Sequence, residues 1–203
     1  KSGEPDDEQL ELLGGAVLGL GWSSERDRFI FRFAINVSQR KRKQPTGEDV
    51  TLETIYMLEG ARLSKRICLS VVNSIFDPIG FLTPLTIILK VTLRRMFSKE
   101  FNLDWDDELD RELHKQWVDL LRMFVGVVLE FDRSIMPITA TGRAVLAAFW
   151  DGSDEAFAAV IYAIWLGLNT EEPLEVRLVA SKARVSADWE KNTVRQEMNG
   201  AVL

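Results

Sequence analysis

Ser64 to Pro84 reads SKRICLSVVNSIFDPIGFLTP, and the architecture of the chain turns on how that stretch divides. Ser64 is a good helix cap, because its hydroxyl can accept from a backbone N–H that has no partner inside the helix. Behind it Cys68, Val71, Val72 and Ile75 fall at i, i+3, i+4 and i+7, one buried stripe of a helix over residues 65–76. Asp77-Pro78 stops that helix, since the residue before a proline is pushed out of helical geometry. Gly80 completes the turn. Thr83-Pro84 then opens a second helix, with threonine as cap and proline in the first turn. On it Lys90 and Arg94 lie one turn apart, with Arg95 and Lys99 nearby. Such a face is either simply solvated or a contact for phosphates.

Moving towards the N-terminus, Ala16 to Trp22 is apolar and glycine-rich, and Ser23 to Asp27 is a polar turn. Phe29, Phe31, Phe33, Ile35 and Val37 then alternate with Ile30, Arg32, Ala34 and Asn36, the period of two of a half-buried strand. Together these predict a β-hairpin, with Gly19 and Gly21 permitting a bulge. Gln39 to Asp49 reads as a loop carrying a basic cluster, Arg40 to Lys43. Residues 1–13 are acidic, poor in apolar groups, and read as a solvated tail.

Moving the other way, a third helix is expected to begin near Asp106, where Asp106, Asp107 and Glu108 suit its positive end. Leu109, Leu113, Trp117, Leu120, Leu121 and Phe124 follow helical spacing. His114 lies beside that stripe with no second histidine or cysteine, so its role is structural. Met123 to Phe131 either extends the helix or begins a strand. Beyond residue 143 the pattern becomes strand (Ala144–Trp150), turn (Gly152–Glu155), strand (Ala156–Leu166), turn (Leu168–Pro173) and strand (Val176–Val185). A helix follows over residues 188–203, with Val194, Met198, Ala201 and Val202 as its apolar side. The fold class is therefore α+β: a hairpin and helices, then three antiparallel strands and a packed helix.

With 46% hydrophobic and 28% charged residues the chain can bury a core, which excludes wholesale disorder. A net charge of -6 excludes an overall basic coat and leaves only local basic faces. The lone cysteine, Cys68, has no partner for an internal disulfide, in keeping with a reducing, intracellular setting. Its ordinary role is that of a small buried apolar group. The longest apolar run, Phe81 to Leu93, is interrupted by polar residues and falls short of the roughly 20 residues a membrane helix needs, so no membrane association is expected. Lys1 at the start and the helical pattern at the end read as cut ends of a longer chain.

Three stretches, in order, resemble the Pol polyprotein of BEL/Pao-type retrotransposons. Val17-Leu18-Gly19-Leu20-Gly21-Trp22, followed by Asp27 and Phe29 to Phe33, is similar to the hairpin after the reverse transcriptase palm. Lys65-Arg66, Leu69-Ser70 and Ser74 to Pro84 resemble the thumb signature, and Leu103-Asp104-Trp105-Asp106 the segment after it. Phe149-Trp150-Asp151-Gly152-Ser153, Ser181 to Val185 and Thr193 to Ala201 resemble the opening of the RNase H domain. The resemblance divides the chain into an acidic tail (1–13), a hairpin at the end of the palm plus basic loop (14–62), thumb-like helices (63–102), a connection-like helix (103–142) and an incomplete RNase H-like domain (143–203).

The resemblance also implies roles. Lys65, Arg66, Lys90 and Arg94 become phosphate contacts to an RNA–DNA hybrid or template–primer duplex, because backbone contacts dominate affinity for nucleic acids. Asp151 and Glu197 become two of the catalytic carboxylates that hold magnesium or manganese in the complete parent domain, since hard divalent ions prefer oxygen ligands. The remaining partners are the rest of the Pol polyprotein, and the setting is a DNA-integrating element whose cytoplasmic particles deliver DNA to the nucleus. The chain departs from the family pattern: the further RNase H aspartates are expected on later strands than those present, and Thr193 to Glu197 is one residue shorter than usual. No palm carboxylate motif is present. Gly152 stands where alanine is usual, and no proline lies between Thr193 and Arg195. A segment of a reverse transcriptase/RNase H, without polymerase activity and with little or no hybrid cleavage of its own, is expected. The alternative is a domesticated scaffold that keeps the fold and binds a protein partner. Asp151-Gly152-Ser153 has the wrong order for an aspartic peptidase loop.

Overall fold

A computed structural model describes residues 20–38, 40–41, 44–45, 47–138, 140, 143–167, 173–187 and 192–203. The acidic tail, Val17 to Gly19, the side chains of the Arg40–Lys43 cluster and the turn after Leu168 lie outside these residues. The elements are β1 (Leu20–Ser23), β2 (Arg28–Arg32), the two-residue β3 (Arg40–Lys41) and β4 (Gln44–Pro45), a 3-10 turn (Ile55–Leu58), and α1 (Lys65–Ser74). They continue with α2 (Thr83–Arg95), α3 (Arg111–Arg122), β5 (Val128–Asp132), β6 (Ala144–Gly152), β7 (Ala156–Leu166), β8 (Pro173–Val185) and α4 (Thr193–Ala201). This is an α+β chain that forms two compact units, residues 1–76 with 92–131, and residues 77–91 with 132–203.

The first unit is built on the sheet β1-β2-β5. The expected hairpin is present, with Leu20 opposite Phe31 and Ser23 opposite Arg28. Asp27 closes it at φ 50, and its carboxylate accepts from the Trp22 indole N–H at 3.1 Å. Aspartate tolerates that left-handed conformation better than most side chains. β2 ends at Arg32, short of the alternating run, yet Phe33 and Ile35 remain buried and Val50 N–H donates to the Ile35 carbonyl at 2.7 Å. Cys68, Val71, Leu113, Trp117 and Leu121 are buried in the same unit, and Phe31 meets Phe131, and Phe33 meets Phe124, edge to face. Burying each large aliphatic side chain contributes about 1.5–3 kcal/mol.

Ser64 caps α1 as expected, its Oγ accepting from Ile67 N–H at 3.5 Å, and the helix releases at Ile75, whose backbone is extended. The third helix begins at Arg111, not near Asp106. Asp110 supplies the cap, accepting from Glu112 and Leu113 N–H at 2.9 Å each. The acids before it are otherwise engaged: Asp106 pairs with Arg66, Asp107 accepts from Asp104 N–H, and Leu109 N–H bonds to the Leu63 carbonyl in an extended segment. His114 is structural, its Nε2 lying 2.9 Å from the Ala61 carbonyl oxygen. Gly126, at φ 73, ends the turns after α3, and the chain enters β5, which decides the Met123–Phe131 alternatives in favour of a strand.

The second unit carries the antiparallel sheet β6-β7-β8 with α4 packed on β6 and β7. This is the order expected from the sequence, three antiparallel strands and a packed helix. Its entry is the Asp77–Gly80 turn. The Asp77 carboxylate accepts from Gly80 N–H at 2.9 Å and Leu82 N–H at 2.7 Å. Gly80 has φ 94, and a Cβ there would lie 1.9 Å from the Ser181 carbonyl oxygen. Ser181 in turn donates its N–H to Ile79 and its hydroxyl to Gly80, tying the turn to β8. The predicted apolar side of α4 is inverted. Val194, Met198 and Val202 are exposed, while Gln196 and Gly200 are buried. The reason is close packing: Gly152 at the strand end meets the helix backbone at Gln196 and Glu197, and Gly200 on the helix meets the strand backbone at Asp151 and Ala158.

Candidate functional site

Asp151 stands at the end of β6, and Glu197 stands on the first turns of α4. The contact that brings them near is made by glycine. A Cβ on Gly152 would lie 2.4 Å from the Gln196 carbonyl carbon and 2.6 Å from Glu197 N, so the strand end touches the helix backbone itself. One turn further on, a Cβ on Gly200 would lie 3.2 Å from the Asp151 carbonyl oxygen. Asn192 caps α4 by accepting from Arg195 N–H at 3.2 Å, and Thr193 donates to Asp154 in the β6–β7 turn at 3.5 Å. Ser186, itself buried, fixes that turn by donating its N–H to the Glu155 carbonyl and its hydroxyl to the Ser153 carbonyl.

Side chains alternate along a strand, so the Asp151 carboxylate leaves the sheet on the face opposite the Gly152 position. Its Oδ1 accepts from Gly152 N–H at 2.8 Å. Asp151 and Glu197 are both exposed. They are neighbours through their backbones at the end of β6, whose outer edge carries no strand partner among the described residues. Two carboxylates are the donor type that a hard divalent ion takes. Among the described residues no third acid, histidine or cysteine joins them to make a group of three.

The four basic residues have different surroundings. Lys65 is buried, its ammonium 4.8 Å from the centre of the Phe97 ring, and Phe97 packs edge to face with Trp105. Arg66 is exposed and forks onto Asp106, with Nε to Oδ1 at 2.7 Å and a second bond at 3.0 Å, while its guanidinium lies 5.6 Å from the Trp105 ring. The Asp106 carboxylate is held below its usual range by that hydrogen bond, and the Arg66 guanidinium is correspondingly raised. Lys90 and Arg94 lie one turn apart on α2, both half-buried.

Sequence reasoning missed the work done by Gly152 and by Trp105-Asp106. For the latter, a signal was present in the aromatic-acid pair, since Arg favours both an aromatic face and a planar carboxylate. For Gly152 only an unexplained glycine beside Asp151 was visible.

Among the described residues no helix is long and apolar enough to cross a membrane. No curated protein matches the chain. Residues 64–203, well over half of the chain, match the family profile described as Pao retrotransposon-like RNaseH-like domain.

Proposed function

Because the chain belongs to the Pao retrotransposon-like RNaseH-like family, we propose that it serves as a nucleic-acid-contacting segment of a reverse transcriptase/RNase H, holding part of the metal site but not catalytic alone. The observation that carries this reading is the seating of α4 on the end of β6 through Gly152, which makes neighbours of Asp151 and Glu197. Asp151 and Glu197 would hold magnesium or manganese through carboxylate oxygens. When bound, the ion supplies the charge that stabilises the oxygens of a phosphodiester under attack. The chain's own part is to hold the backbone that carries the two anionic side chains, through a capped helix at one and a bonded turn at the other. Two ligands are fewer than a clamp on both attacking and leaving oxygens requires, so hybrid cleavage by this chain alone is expected to be absent.

Arg66, Lys90 and Arg94 would contact the phosphates of an RNA–DNA hybrid or template–primer duplex. Lys65 would act through its field and by bracing Phe97. The rest of the Pol polyprotein would supply the palm and the further carboxylates, in an intracellular particle. Charge reversal at Lys90 and Arg94 tests the duplex contact. Hybrid affinity measured by fluorescence anisotropy should fall steeply with salt in the native chain, and K90E/R94E should weaken it at least tenfold and flatten the salt slope by about two. An unchanged curve would remove both residues from the interface.

A second reading, a retroelement-derived scaffold for a protein partner, draws on one observation: Val194, Met198 and Val202 form an outward apolar side on α4. It predicts no hybrid binding at any salt concentration.

A further inference from the structure

At the N-terminal end of α1 a hollow of about 320 Å³ opens among Ser38, Arg62, Ser64, Arg66, Ser70 and Asp106, all within one compact unit. Its balance of donors and acceptors is uneven. Arg62 has Glu108 as its nearest carboxylate at 3.7 Å, beyond hydrogen-bond reach, and its side chain is 65% exposed. The Ser70 hydroxyl makes no hydrogen bond among the described residues. Ser64 is 5% exposed; its oxygen accepts from Ile67 N–H, and its own O–H has no acceptor among the described residues. Buried hydroxyl protons ordinarily find an acceptor. The acid on the wall, Asp106, is consumed by the Arg66 fork. Two hydroxyl donors, and a guanidinium held only by the 3.7 Å ion pair with Glu108, thus face one small space whose lining carboxylate is already bonded to Arg66.

The helix terminus adds partial positive charge but few free N–H groups. Arg66 N–H is given to the Trp105 carbonyl and Ile67 N–H to Ser64. Recognition must therefore come from side chains. A tetrahedral anion with several acceptor oxygens suits one guanidinium and two hydroxyls better than a neutral ligand does. We propose that this hollow is a phosphate-binding site, with Arg62 as the charged contact, Ser64 and Ser70 as hydroxyl donors, and Arg66 held ready by Asp106 and Trp105. Only the source of the phosphate, a nucleic-acid backbone, rests on the duplex-binding reading above.

The test is an NMR titration of the full 203-residue chain with inorganic phosphate, repeated in R62Q, S70A and D106N. Saturable shifts centred on residues 62–70 are expected. R62Q and S70A should weaken binding several-fold, and D106N should tighten it, because it removes a negative charge from the wall of the hollow. An RNA–DNA hybrid is then added as competitor. Displacement of phosphate, with a salt slope lower by about one in R62Q, identifies the backbone as the source. Persistent phosphate binding without competition keeps the hollow, assigns it to a free phosphorylated small molecule, and sets the duplex reading aside. No saturable binding, or equal binding in the native chain, R62Q and S70A, overturns the proposal.

Discussion

Asp77 shows how much one side chain can organise. Its two carboxylate oxygens receive the N–H groups of Gly80 and Leu82, and so shape the turn that leads from α1 into α2. Hydrogen bonds to a charged group contribute about 1.5–3 kcal/mol in a folded chain. Asp77→Ala should therefore destabilise the protein by about 2 kcal/mol in urea unfolding, and Asp77→Asn, which keeps one acceptor, by less; equal stability of both variants with the native chain would deny the turn this role. Cys68 is a second residue with a sharp expectation. It is fully buried, and burial pushes its thiol well above the ordinary range. Nucleophilic attack needs the thiolate. At pH 8 a thiol reagent should leave the native chain untouched and titrate one thiol in denaturant. Rapid labelling of the native state would place Cys68 at the surface.

At the scale of elements, α4 and β6 decide the site. Helix capping by Asn192 was not legible because helix propensity alone does not mark where a helix starts. The apolar side chains of α4 pointed to a face opposite the one that packs. Periodicity measures where apolar residues lie, whereas the helix is seated by close approach at Gly152 and Gly200, which carry no side chain to count. Gly152→Ala should cost about 1–3 kcal/mol, since the new methyl meets backbone that cannot yield without moving the helix. Its partner observation is a change in the amide shifts of Gln196 and Glu197. Native stability with unmoved α4 resonances would show that the contact is loose. By contrast the hairpin pairing and the start of α1 were legible, because the alternation beginning at Phe29 and the Ser64 cap are local signals that tertiary packing did not override. The start of α3 was not, since Asp106 found a distant partner in Arg66 and so was unavailable as a helix-terminal acid.

The whole chain joins a unit with a deep aromatic and aliphatic core to a unit whose sheet is only partly covered. Ile30, Phe31, Leu58, Trp117 and Leu121 are sealed in the first, while Leu146, Phe149 and Trp150 on β6 are exposed in the second. That contrast follows from composition along the chain. The first unit mixes strands with amphipathic helices on one core, whereas β6 and β7 are apolar on both faces, with α4 packed on them. The α+β class and the order of elements could therefore be read from periodicity, but the approach of the end of β6 to the backbone of α4 could not. It depends on a backbone contact between residues 152 and 196–197, far apart in sequence.

The most direct test of the central claim is paramagnetic broadening by Mn²⁺ in the native chain and in D151N and E197Q. Broadening concentrated at residues 151–152 and 196–198, and lost in either variant, is the predicted result. Broadening spread over the acidic surface, or unchanged by both substitutions, would contradict a shared carboxylate site at the edge of β6.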